Sequence, residues 1–74
     1  KGVRNMKEII NMLKSIGVRK ITIKSMEEIK FKYGNRIYLL KIQEFNITIT
    51  DKKITFNFSR NRDAVDLIKD FLSM

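Results

Sequence analysis

Apolar residues along this chain keep two different periods. From Met6 to Gly17 they recur at helical spacing, as Met6, Ile9, Ile10, Leu13 and Ile16, with Lys7, Glu8, Asn11 and Lys14 opposite. Asn5 followed three residues later by Glu8 has the form of a capping box. Gly17 stands just past the last turn, where a left-handed residue ends a helix. The end of the chain repeats the logic. Asn61 is the expected cap, Asp63 and Asp66 sit in the first turns, and Ala64, Val65, Ile68, Phe71 and Leu72 form the apolar stripe. Two amphipathic helices are predicted, each with one face to bury.

Between them the period falls to two, the signature of half-buried strands. Gly34-Asn35 is a two-residue hairpin turn. It sets Tyr33 against Arg36, Phe31 against Tyr38 and Ile29 against Leu40 on one face, and Lys32 against Ile37, Lys30 against Leu39 and Glu28 against Lys41 on the other. A second turn, expected at Asp51-Lys52, sets Ile49 against Ile54, Ile47 against Phe56 and Phe45 against Phe58, with Thr48 facing Thr55 and Asn46 facing Asn57 behind. A tight turn at Gln43-Glu44 joins these hairpins, and a short loop around Met26 adds a first strand with Ile23 facing Ile29 and Ile21 facing Phe31. A slip of one residue would exchange core for solvent along a whole strand, so agreement on both faces constrains the register.

The expected strands run from Arg19 to Lys24, Glu28 to Tyr33, Arg36 to Ile42, Phe45 to Thr50 and Lys53 to Phe58. Their apolar face needs a cover, and the two helices supply it. The prediction is one α+β domain over residues 1–74: a two-layer, five-stranded antiparallel meander covered on one face by N- and C-terminal helices, αβββββα. No linker, repeat or low-complexity tract divides it. As topology alone, without a sequence motif, this order resembles one repeat of the TATA-box-binding protein fold without its first strand, and more loosely the Whirly family of single-strand binders. Fold likeness of this kind does not transmit function.

Composition then narrows the function classes. The chain has 74 residues, 43% apolar and 32% charged, with no Cys, His, Pro or Trp. A domain of this size buries only about 60% of its unfolded surface, so little apolar material is left for a deep active site. Without Cys or His there are no Zn sites of the usual kind, thiol nucleophiles or imidazole bases, and no apolar run is long enough for a membrane span. Sixteen Lys and Arg against eight Asp and Glu leave a net charge of +8. Such a charge attracts polyanions, nucleic acid before an anionic membrane or an acidic protein tail. A bland alternative is solubility alone. The chain opens on Lys1 rather than Met, as a trimmed N-terminus would leave it.

Register places the charge. The face away from the helices is expected to carry Lys20, Lys24, Lys30, Lys32, Lys41 and Lys53 against Glu28, with Thr22, Thr48, Thr50, Thr55, Asn46 and Asn57 among them. These are the side-chain types that contact phosphate and sugar. Lys20 opposite Lys32 is a like-charge pair that an anionic ligand would relieve. A solvated face that blunts sheet edges is the alternative. Ile37 and Leu39 break the alternation and fall on the same outer face, as contact residues in a groove, as the dry centre of a protein interface, or under a chain end or a second copy of the domain. Arg60 and Arg62 at the start of the last helix, with Lys1, Arg4, Lys7 and Lys14 on the first, make a second basic cluster.

Phe31, Tyr33, Tyr38, Phe45, Phe56 and Phe58 are all assigned to the covered face. No aromatic is then left outside for stacking unpaired bases, which favours duplex over single strands. Adjacent Glu27 and Glu28 point to opposite faces, the helix aspartates suit the macrodipole, and Ser15, Ser25, Ser59 and Ser73 have no base to activate them. The expectation is a non-enzymatic DNA-binding domain, cytoplasmic or nucleoid-associated, needing no metal or cofactor. The alternative is a protein-binding module, such as a small basic accessory subunit or adaptor of a replication, transcription or repair complex. A homodimer is compatible with either.

Overall fold

Ten-residue helices are marginal on their own in water, so both terminal helices depend on the sheet they cover. The computed structural model describes residues 6–74. The elements follow in the order α1 (Met6–Ser15), β1 (Ile21–Ser25), β2 (Glu28–Tyr33), β3 (Arg36–Ile42), β4 (Asn46–Asp51), β5 (Ile54–Ser59) and α2 (Ala64–Ser73). The strands form one antiparallel sheet in the order β1-β2-β3-β4-β5, the αβββββα layout that the periodicity predicts. No helix among the described residues is long and apolar enough to cross a membrane.

One cluster of buried side chains joins the two layers. Ile9 and Leu13 of α1 and Ala64, Ile68 and Leu72 of α2 meet Ile29, Phe31, Leu40, Ile47 and Ile49 of the sheet. Met12 also turns inward, leaving Ile10 and Ile16 half-buried at the rim. α1 ends as expected: Gly17 takes φ +99°, its N–H donates to the Lys14 carbonyl at 3.1 Å, and Val18 N–H donates to the Leu13 carbonyl at 3.0 Å. That paired arrangement is a Schellman motif, and Val18 and Leu13 are both buried beside it. Asn5 lies outside the described residues, and with it the expected capping box.

The β1–β2 and β2–β3 registers are those read from the sequence. Ile21 faces Phe31, Ile23 faces Ile29, and all six pairs from Glu28–Lys41 to Tyr33–Arg36 hold. The later turns differ. The β3–β4 turn is at Glu44-Phe45, with Gln43 N–H donating to the Asn46 carbonyl at 2.7 Å, and the β4–β5 turn is at Lys52-Lys53. Ile47 therefore faces Phe58, Ile49 faces Phe56, Thr50 faces Thr55 and Asp51 faces Ile54. Relative to the expected pairing, β4 and β5 are offset by two residues. An even offset keeps every side chain on its face, so it moves only the residues at the strand ends.

Those ends carry the corrections. Phe45 leaves the covered face for the turn tip, where it is 79% exposed, and Lys53 becomes a turn residue rather than the start of β5. Ile23 and Ile54 keep the inward parity but lie on edge strands where the helices give little cover, at 64% and 57% exposure. What the offset gains is contact: the Thr50 and Thr55 hydroxyls meet at 3.1 Å, and Asp51 accepts a 2.6 Å hydrogen bond from Arg36. Asn61 stands two residues before the cap rather than at it. Its carbonyl accepts from Ala64 N–H and its Oδ1 from Asp63 N–H, while Asp63 holds the N-cap position of α2.

Candidate nucleic-acid interface

A sheet with both helices on one side leaves the other side to water, and alternation along each strand decides what stands there. On β2, Lys30 and Lys32 are two residues apart on that outer side, a separation of roughly 6.7 Å along the strand. Both are exposed. On one flank β1 contributes Thr22, directly opposite Lys30. On the other, β3 contributes Leu39 opposite Lys30 and Ile37 opposite Lys32. Lys20 lies just before β1. Lys20, Lys24, Lys30, Lys32, Thr22 and Ile37 together line a shallow open depression of about 320 Å³. Lys24 reaches it from the point where the β1 register shifts, between Ile23 and Ser25, a bulge of the kind that re-aims a side chain.

Ile37 is 52% exposed and Leu39 is half-buried. Both stand on the outer face, as their place in the register requires. Lys41, also exposed, lies one row away, between Glu28 on β2 and Thr48 on β4. Glu28 is thus the acid set among these lysines, and it opposes Lys41 rather than the lysines of the depression. None of Lys20, Lys24, Lys30, Lys32 and Lys41 has an ion-pair partner among the described residues. Arg19 was not expected here. It joins Lys20 and Lys32 around a neighbouring shallow depression with Gly17 and Gly34. Strand alternation would have sent it to the covered face, but residues 18–20 precede β1 and alternation does not govern them.

The polar residues expected among the lysines instead occupy the other half of the face. Thr48, Thr50, Thr55, Asn46 and Asn57 are on β4 and β5, and four of them pair: Thr50 with Thr55, and the Asn46 amide donating to Asn57 Oδ1. The outer face therefore divides into a cationic half on β1–β3 and a neutral, internally hydrogen-bonded half on β4–β5.

Lys53, Arg60 and Arg62 do not join the lysines. Lys53 borders a depression with Asn35, Arg36, Asp51, Lys52 and Ile54 at the turn end of β5. Arg60 follows β5, and its Nη1 donates to the Gln43 carbonyl at 3.0 Å while its main-chain N–H donates to the Phe45 carbonyl at 3.0 Å, so it ties down the β3–β4 turn. Arg62 is exposed in the turn before α2. The strand spacing puts β5 about 14 Å from β2 across the sheet. Of the first-helix cluster, Lys1 and Arg4 lie outside the described residues, and Lys7 and Lys14 are exposed on α1.

The arrangement presents cationic side chains to an anion, and among the described residues no group of three or more His, Cys, Asp or Glu side chains is placed to bind a metal ion. No family model, curated protein or solved structure matches the chain.

Proposed function

We propose that this chain is a non-enzymatic domain that docks on the sugar-phosphate backbone of duplex DNA through the cationic half of its sheet. The observation that carries this reading is the set Lys20, Lys24, Lys30, Lys32 and Lys41, gathered on one uncovered surface without ion-pair partners. Ammonium groups crowded in this way repel one another, and a row of phosphates relieves that repulsion while releasing condensed counterions. Phe31 borders the depression but is only 2% exposed, Tyr33 and Tyr38 belong to the covered face, and the exposed Phe45 lies at a turn tip outside the cationic half, which favours backbone contact over stacking on unpaired bases.

The test is a titration of labelled duplex DNA across salt concentration. With each neutralised phosphate contributing about −0.9 to the slope of log K against log salt, five lysines give a slope of roughly −4 to −5. Affinity is then expected to fall by roughly 10²–10³ between 50 and 200 mM salt. The double variant Lys30→Glu and Lys32→Glu is expected to reduce the magnitude of the slope by about two and leave the fold unchanged, since both side chains are exposed. A salt-independent affinity, or one untouched by this variant, overturns the reading.

A second reading has its own support in Ile37, an exposed branched apolar residue beside the lysine depression. It makes the chain an accessory subunit whose partner buries that isoleucine within a charged rim. Ile37→Asp distinguishes the two. It is expected to abolish capture by such a partner, but to weaken DNA binding only through one added negative charge.

A further inference from the structure

The two edges of the sheet are not alike. β1 is flanked and occupied by Lys20 and Lys24, and its register breaks between Ile23 and Ser25. Charge and bulges are the usual devices that keep an edge strand from pairing with another chain. β5 is the opposite edge. Its six residues, ITFNFS, include no charge, no Gly and no Pro, and its pairing with β4 runs without a register shift.

Main-chain groups line this second edge in a defined phase. Hydrogen-bonded and non-hydrogen-bonded pairs alternate along an antiparallel ladder, and the bond from Arg60 N–H to the Phe45 carbonyl fixes which is which. Counting back in twos, residues 58, 56 and 54 bond to β4, so the N–H and C=O of Thr55 and Asn57 point off the edge. An apolar flank runs beside them on the helix side. Ile54 is exposed, Phe71 of α2 rests on Phe56 and Phe58 at ring-centroid distances of 4.5 and 5.5 Å, and exposed Leu67 is one turn before Phe71 on the same side of α2.

We propose that β5 is the dimerisation edge of this protein and pairs antiparallel with β5 of a second copy, about a two-fold axis through Phe56. In that register Phe56 faces Phe56 of the second copy, Ile54 faces its Phe58, and Thr55 faces its Asn57. An even register is required to keep apolar side chains under the helices and Thr and Asn on the outer face. Centring it on Phe56 engages the N–H and C=O of Thr55 and Asn57 in both copies. The occupant is a second copy because the strand complements itself: no like charges oppose one another from Ile54 to Ser59, and Lys52 meets Arg60 of the second copy only beyond the strand ends, whereas β1 paired with itself about Thr22 would set Lys20 against Lys24 beside the bulge. The two-fold axis also closes the assembly, since the outer edges left over are the lysine-guarded β1 strands. The cationic half of each outer face stays open.

Light scattering after size exclusion, over a range of concentrations, reads the mass directly. The expected result is a particle of twice 8.8 kDa. Amide hydrogen exchange at Thr55 and Asn57 is expected to slow by roughly tenfold or more as concentration rises. Ile54→Lys places charge in the contact, and Asn57→Pro removes an N–H that points off the edge, so it costs no main-chain bond to β4 and only the side-chain bond from Asn46. Each is expected to return the chain to a single-copy mass with an unchanged far-ultraviolet dichroism spectrum. A wild-type chain that stays at 8.8 kDa up to millimolar concentration overturns the proposal. So does a dimer that survives both substitutions in folded protein, or one whose concentration-dependent protection falls on β1.

Discussion

Single residues show most plainly where backbone conformation, rather than packing, sets the energy. Lys52 has φ +55° at the first position of the β4–β5 turn, where Gly34 has φ +64° in the β2–β3 turn. A side chain in the left-handed region costs about 1–2 kcal/mol, against about 0.5–1 kcal/mol of extra chain entropy lost by a glycine. Lys52→Gly is therefore expected to stabilise the domain by about 0.5–1 kcal/mol. Gly17→Ala is the converse. A Cβ at Gly17 meets nothing within 4 Å, so the expected loss of about 1 kcal/mol is conformational, coming from the φ of +99° that the Schellman ending imposes. Urea denaturation of both variants, with midpoints moving in opposite directions at constant slope, checks the pair. Arg19 and Phe45 mark the limits of legibility at this scale. Each lies where the strand has not begun or has already turned, so alternation assigns it a face it does not have.

At the scale of elements, helices and hairpins differ in how far local sequence determines them. The Gly34 turn fixes the β2–β3 register because a glycine is available where a positive φ is needed. In the β4–β5 turn, Asp51 tolerates that conformation better than Lys52 does, and the sequence favours the earlier turn. The longer reach to Ile47–Phe58 and Ile49–Phe56, with the Arg36–Asp51 ion pair, prevails instead. Hydrophobic alternation is blind to this choice, since an offset of two residues leaves the same side chains facing in. It could therefore identify the lysine face without showing that Lys53 leaves it or that the Thr and Asn residues pair among themselves. α2 depends on the aromatic contacts to β5, having no side-chain hydrogen bond at its N-cap. Phe71→Ala removes a half-buried ring from Phe56 and Phe58 and is expected to cost about 2–3 kcal/mol. Against roughly 4–11 kcal/mol for a domain of this length, that loss lowers the melting temperature by about 10 °C or more.

For the molecule as a whole, the partition of side chains between two layers separates stability from binding. The core contains no buried polar or charged side chain among the described residues, and the outward lysines of β1–β3 stay out of it while Ile29, Phe31, Tyr38, Leu40 and Ile42 of the same strands enter it. Surface substitutions such as Lys30→Glu can consequently alter electrostatics without touching what holds the layers together. The strand order β1-β2-β3-β4-β5 carries a consequence for time as well as shape. Every strand is laid beside its predecessor, so each closure spans only a short loop, and no distant segments must find one another before the sheet can grow. With no proline in the chain there is also no prolyl isomerisation to delay it. Refolding from urea at low protein concentration is expected to finish in roughly milliseconds to tens of milliseconds as a single exponential, without a phase of tens of seconds, when followed by stopped-flow tyrosine fluorescence.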